Sequence, residues 1–224
     1  MKKTIKTTVV KTTHTSTEWI FQFWAWQLLF WALYRYFFAF PEWIDEFIFK
    51  PLVFVLPVFW YVMVKERRPL ASIGLTKNNS INQVVLGLGI GCLLLGEGIF
   101  MNYLKHGNAV VLPSMQSDIV FVLLLSLATA FTEEVLSRGF YFSRLFEMTK
   151  RLWYSIGLST ALFMAFHIPI LVTSLKFQGI TLVLFFWTTL IISIANAFAY
   201  HQTKSLVVPI LLHFFWNITV LFFL

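Results

Sequence analysis

The sequence predicts an all-α protein, a polytopic transmembrane helix bundle of about seven spans with its N-terminus inside. Three observations predict it. Hydrophobic residues make up 58% of the 224, mean hydropathy is +0.77 and only 12% of side chains are charged, against roughly a quarter in soluble domains. Several apolar stretches reach the ~20 residues that cross a ~30 Å hydrocarbon core as helix, and they are too long and too little alternating for barrel strands. The Lys and Arg residues then sort onto one side of the layout.

Residues 1–18 read as a cytosolic basic tail. The apolar run that follows lacks a small-residue cleavage site and outlasts a secretory hydrophobic region, so it reads as an uncleaved first span. Residues 19–117 hold three N-terminal spans, at about 19–39, 47–64 and 81–104. Residues 118–224 hold a core of four, at about 118–146, 153–173, 180–200 and 205–224. Breaks fall at Pro41, KERRP, HGN, KR, FQG and HQTK, all good punctuation. Twelve basic residues then lie inside: Lys2, Lys3, Lys6, Lys11, Lys65, Arg67, Arg68, Lys77, Arg144, Lys150, Arg151 and Lys204. The outer loops hold Lys50, Lys105 and Lys176 together with the acids of PEWIDEF, while Arg35 sits near the outer end of the first span and Arg138 inside the fourth.

The formal charge of +7 is that of basic loops beside anionic lipid, so the bilayer, and not nucleic acid, is the expected partner. Cys92 stands alone, which excludes a disulfide framework or a cysteine metal cluster. The third span carries a GxxxG from Gly87 to Gly91, read as close helix packing, and Glu97 as a candidate buried carboxylate. The 26 Phe and nine Trp read mainly as lipid-facing and interfacial residues. His14, His106 and His201 fall in tails or loops.

Ionisable side chains inside spans cost about 2.5–3.5 kcal/mol each for Asp, Lys or Arg even on insertion scales, so those present need a reason. The fourth span holds Glu133, Glu134 and Arg138, the fifth His167, and the seventh His213 with Asn217. Glu134 and Arg138 are i and i+4 with the acid first, the favourable order for an ion pair. Glu133 is rotated by about 100° from Glu134 and is free to face elsewhere, where desolvation makes a carboxylate readier to accept a proton. Glu133 lies 17 residues before Lys150 and His167 lies 16 after Arg151, so an antiparallel hairpin brings them level. Counted from Lys204, His213 stands roughly 10 Å too shallow at 1.5 Å per residue, unless the HQTKS turn dips inward or the helices are displaced. A carboxylate, two imidazoles and an amide around one buried point suggest hydrolysis, with a base for water and donors for an oxyanion.

These motifs, Glu133-Glu134-Val-Leu-Ser-Arg138, Phe163-Met-Ala-Phe-His167 and His213-Phe-Phe-Trp-Asn217, resemble EExxxR, FxxxH and HxxxN of the CAAX protease and bacteriocin-processing (CPBP) intramembrane peptidases, which include the type II CAAX prenyl endopeptidase. The similarity extends to Gly139, to the HIP at 167–169 and to TKSLVVPILLH at 203–213, and covers about residues 118–220. One departure is Ser137, where an aromatic often precedes the arginine. The resemblance implies that Glu133 with His167 activates water, that His213 with Asn217 stabilises the oxyanion, and that Glu134 and Arg138 support the site. The family has been described both as glutamic and as metallopeptidases. With no HExxH present, the sequence favours a glutamic peptidase without cofactor, the runner-up being zinc on Glu133, His167 and His213. The expected substrate is a membrane-associated peptide or protein, lipidated or not, in the cell membrane of a prokaryote or the endoplasmic reticulum of a eukaryote. The alternatives are a non-catalytic immunity or scaffold protein of the same family and a proton-coupled transporter.

Overall fold

The computed structural model describes residues 17–76, 80–107 and 118–223, and every regular element among them is helical. Lys2, Lys3, Lys6, Lys11, His14 and Lys77 lie outside the described residues. The chain forms α1 (Glu18–Phe37), then α2 (Glu42–Lys65), α3 (Ser80–Lys105), α4 (Ile119–Thr149), α5 (Leu152–Leu175), α6 (Gly179–Thr203) and α7 (Val207–Phe223). Helices α2 to α6 are the five that are long and apolar enough to cross a membrane. The α1 helix has 20 residues, but its Trp, Tyr and Gln side chains dilute its hydropathy. The α7 helix is apolar apart from His213, Asn217 and Thr219 and is 17 residues long.

Two expectations give way here. The acids of PEWIDEF do not form an outer loop: α2 begins at Glu42, directly after Pro41, and Asp45, Glu46 and Lys50 are all buried. Each buried charge has found an opposite one inside the bundle, Arg35 with Asp45 and Lys50 with Glu46, which makes burial tolerable. Glu97, in turn, is exposed on α3. The buried stripe of that helix is Gln83, Gly87, Gly91, Gly98 and Asn102, and it meets α7 in the most extensive helix pairing of the fold. A Cβ at Gly91 would stand 2.0 Å from Phe215 Cδ2, and one at Gly87 2.6 Å from Leu211 Cδ1, so the GxxxG serves close packing.

Three contacts set the height of the remaining parts. The α4–α5 turn reverses at Lys150, whose φ of 55° ends α4. Between α6 and α7, Lys204 is left-handed at φ 54°, Ser205 and Leu206 are buried, and Leu206 N–H donates to Gly74 O at 3.0 Å. Gly139 of α4 faces the same place, where a Cβ would come within 2.9 Å of Ile73 O and 3.3 Å of Leu206 Cδ1. The HQTKS turn therefore does dip inward, which lifts the offset expected for His213.

The basic end of the bundle is laced by ion pairs, Arg144 Nη2 to Glu66 Oε2 at 2.6 Å and Arg68 Nη1 to Glu147 Oε2 at 2.7 Å. At the level of the polar motifs, α1 lies against α5: Trp24 Nε1 donates to Leu162 O and Trp31 Nε1 to Phe166 O, both at 3.1 Å. Gln27 ties three helices, donating to Val53 O of α2 at 3.0 Å and accepting from the Tyr141 hydroxyl of α4.

Candidate active site

The two glutamates close the regular α-helical part of α4, and from Val135 to Phe142 the helix widens into π turns. Such widening recurs at functional sites because it re-aims side chains within a continuous helix. Glu134 is fully buried and serves as a hub. Arg138 Nε lies 3.2 Å from its Oε2, close enough for an ion pair though not aligned as a hydrogen bond. Its Oε1 accepts from Asn196 Nδ2 of α6 at 2.9 Å and from His213 Nδ1 of α7 at 2.7 Å. Arg138 in turn donates to Ser193 O at 3.1 Å and to the Ser137 hydroxyl, and its Cζ sits 4.7 Å from the Phe163 ring centroid. Ser137 therefore fills the place of an aromatic as an acceptor for the guanidinium.

Glu133 faces the other way, as the spacing predicts, towards a cavity of about 90 Å³ walled by Trp31, Phe54, Phe163, Phe166 and Phe185. It is not a lone carboxylate. Lys50 of α2 bonds its Oε1 at 2.8 Å and Glu46 Oε1 at 2.6 Å. The other oxygen, Oε2, stands 3.7 Å from His213 Nε2 and 4.0 Å from His167 Nε2.

The tautomers follow from the other ring nitrogens. His167 Nδ1 lies 3.1 Å from Phe163 O, and a carbonyl only accepts, so Nδ1 carries the hydrogen. His213 Nδ1 meets the Glu134 carboxylate and carries one for the same reason. In its neutral form each imidazole thus presents a lone pair on Nε2 towards the same carboxylate oxygen. Three acceptors aimed at one spot repel unless that spot supplies hydrogens. The gaps of 3.7 and 4.0 Å are too long for direct bonds and suit a bridging water.

His167 reaches this position because α5 is interrupted there. Pro169 has no N–H and cannot bond the carbonyl one turn back, and His167 N–H instead donates to Met164 O at 3.1 Å. Asn217 is not brought into the group: its Nδ2 points to Ser126 O at 3.5 Å, one turn away along the α4–α7 seam. The amide beside the carboxylates is that of Asn196. A zinc site needs ligands at about 2.0–2.2 Å around one point; no group of three His, Cys, Asp or Glu among the described residues is arranged that way. Glu133 Oε2 has His213 Nε2 at 3.7 Å and His167 Nε2 at 4.0 Å, while its Oε1 carries the Lys50 ammonium.

Residues 115–219 match the family model described as type II CAAX prenyl endopeptidase Rce1-like. This segment is similar to an Rce1-like domain. It contains Glu133, Glu134, Arg138, His167, His213 and Asn217, the residues that carry the motifs, and it spans α4 to α7 almost entirely. No curated protein and no solved structure matches the chain. Lys50, Glu46 and Trp31 reach the site from outside the matched segment. The sequence did hold a signal for the first two, since Glu46 and Lys50 are i and i+4 with the acid first, the spacing that marks Glu134 and Arg138. Asn196 is a lone amide in an apolar span, which is a weaker signal.

Proposed function

We propose that the protein is an intramembrane endopeptidase of glutamic type, hydrolysing a peptide bond of a membrane-associated substrate at the Glu133 cavity. The observation that carries the reading is the convergence of two imidazole Nε2 atoms on Glu133 Oε2, at 3.7 and 4.0 Å, beside the aromatic-walled cavity. A water held there attacks the scissile carbonyl carbon as Glu133 takes one of its protons. His167, fixed by Phe163 O, orients the water. His213, held through Nδ1 by Glu134, donates from Nε2 to the oxyanion when doubly protonated, a contribution of the kind worth about 10²–10³ in rate. The C–N bond then breaks, and the proton held by Glu133 passes to the leaving amine. Arg138 and Asn196 hold the Glu134 carboxylate aimed at His213. Asn217 is assigned no contact with the oxyanion.

An Rce1-like domain makes a peptide ending in a prenylated cysteine motif the first substrate to try. The test is cleavage of quenched fluorescent peptides, with and without a prenylated cysteine, by the purified protein in detergent. Wild type is expected to turn over, Glu133→Gln to fall to background, and His213→Ala to lose about 10²–10³ in kcat. Wild-type rates from Glu133→Gln would overturn the mechanism.

A further inference from the structure

Lys50 belongs to α2, outside the Rce1-like domain, and its ammonium is buried with Glu133 at 2.8 Å and Glu46 at 2.6 Å. The second oxygen of Glu46 accepts from the Thr129 hydroxyl of α4 at 2.7 Å. Thr129 lies one turn before Glu133 on the same helix. A closed circuit results, running from α4 through Glu46 and Lys50 of α2 and back to α4. The terminal torsion of a glutamate is broad and roughly two-fold, so a carboxylate without a partner swings freely. Here Oε1 is bound to Lys50, which leaves Oε2 as the oxygen facing both imidazoles.

We propose that Lys50 is a positioning residue for Glu133, with Glu46 as its anchor, so that the N-terminal helices complete the catalytic geometry of the Rce1-like domain. This rests on the reading of Glu133 as the water-activating base. Lys50 acts through Glu133 and needs no contact with the scissile bond. Without it the carboxylate loses its fixed rotation, and misplacement of a reacting group by about 1 Å costs on the order of 10² in rate. The loss should fall on kcat and spare KM, because Lys50 holds the base and not the substrate.

The experiment uses the full-length protein in detergent and the peptide cleaved fastest by wild type. Lys50→Met should lower kcat by about 10²-fold with KM within about twofold, a split that general loosening of the fold would not produce. Glu46→Gln, which leaves Lys50 on Glu133 but removes its anchor, should give a smaller loss. The double variant Lys50→Met/Glu46→Gln has the same net charge as wild type and guards against unfolding from an unbalanced buried acid; it should stay as slow as Lys50→Met. Wild-type kcat in the double variant overturns the proposal. Full turnover by Glu133→Gln overturns the reading beneath it, a different result from a different variant. Independently of turnover, melting temperatures of Lys50→Met, Glu133→Gln and their combination should be non-additive, as for groups in contact. Additive shifts would show that Lys50 does not hold Glu133.

Discussion

Arg138 is 1% exposed, which an unpaired cation at this depth would not survive. Glu134, Ser193 O and the Phe163 ring together accept its charge and its donors. Removing one partner of a buried pair leaves the other uncompensated, typically at about 3–5 kcal/mol. Arg138→Met is therefore expected to lower the melting temperature in detergent far more than Arg151→Met at the exposed α4–α5 turn. The two asparagines give a sharper contrast. Asn196 bonds Glu134 directly, whereas Asn217 bonds a backbone carbonyl, so Asn196→Leu should reduce kcat strongly and Asn217→Ala only slightly, as read in the peptide assay. The spacing within α4 made the division between Glu133 and Glu134 legible, because a 100° step per residue follows from helix geometry alone. The partner of Glu133 was not legible, because Lys50 lies 83 positions away and no local pattern reports which helix a carboxylate meets.

The elements owe their placement to backbone approaches as much as to side chains. Gly139 admits the Leu70–Ile73 turn so closely that a Cβ would meet Ile73 O at 2.9 Å. A backbone oxygen cannot swing aside, so Gly139→Val should cost about 1–3 kcal/mol by overpacking, checked by thermal unfolding in detergent. Gly89 faces open space on the other side of α3, and Gly89→Val is the control, expected to unfold close to wild type. The existence of each helix was legible from apolar run length. The start of α2 was not: acids after a proline look like a loop, and only the pairing of Asp45 with Arg35 and of Glu46 with Lys50 explains why they are helical and buried.

For the molecule as a whole, α1 and α2 are part of the body that forms the candidate site. Trp31 and Phe54 wall the cavity, Trp24 and Trp31 bond carbonyls of α5, and Lys50 meets Glu133. Residues 118–224 expressed alone should therefore fail to cleave peptide, and co-expression of residues 1–117 should restore cleavage where the halves associate. Hydropathy marks α2 as long and apolar enough to cross a membrane but is silent about helix rotation, so the share of α1 and α2 in the site was invisible to it. The three motifs, by contrast, placed the two glutamates and three of the polar residues that surround or support them, Arg138, His167 and His213.

The buried turn at Ser205 and Leu206 carries a further consequence, for what length changes the chain accepts. Links between membrane helices ordinarily absorb insertions, because they run free in water. This one is clamped against Gly74 and Gly139, and it fixes where α7 begins. One added residue would advance α7 by about 1.5 Å and turn it by about 100°, carrying His213 off Glu134. This buried connection should therefore be among the least tolerant of insertion or deletion, whereas the Lys176–Gln178 link of equal length, farther from any such clamp, should accept either.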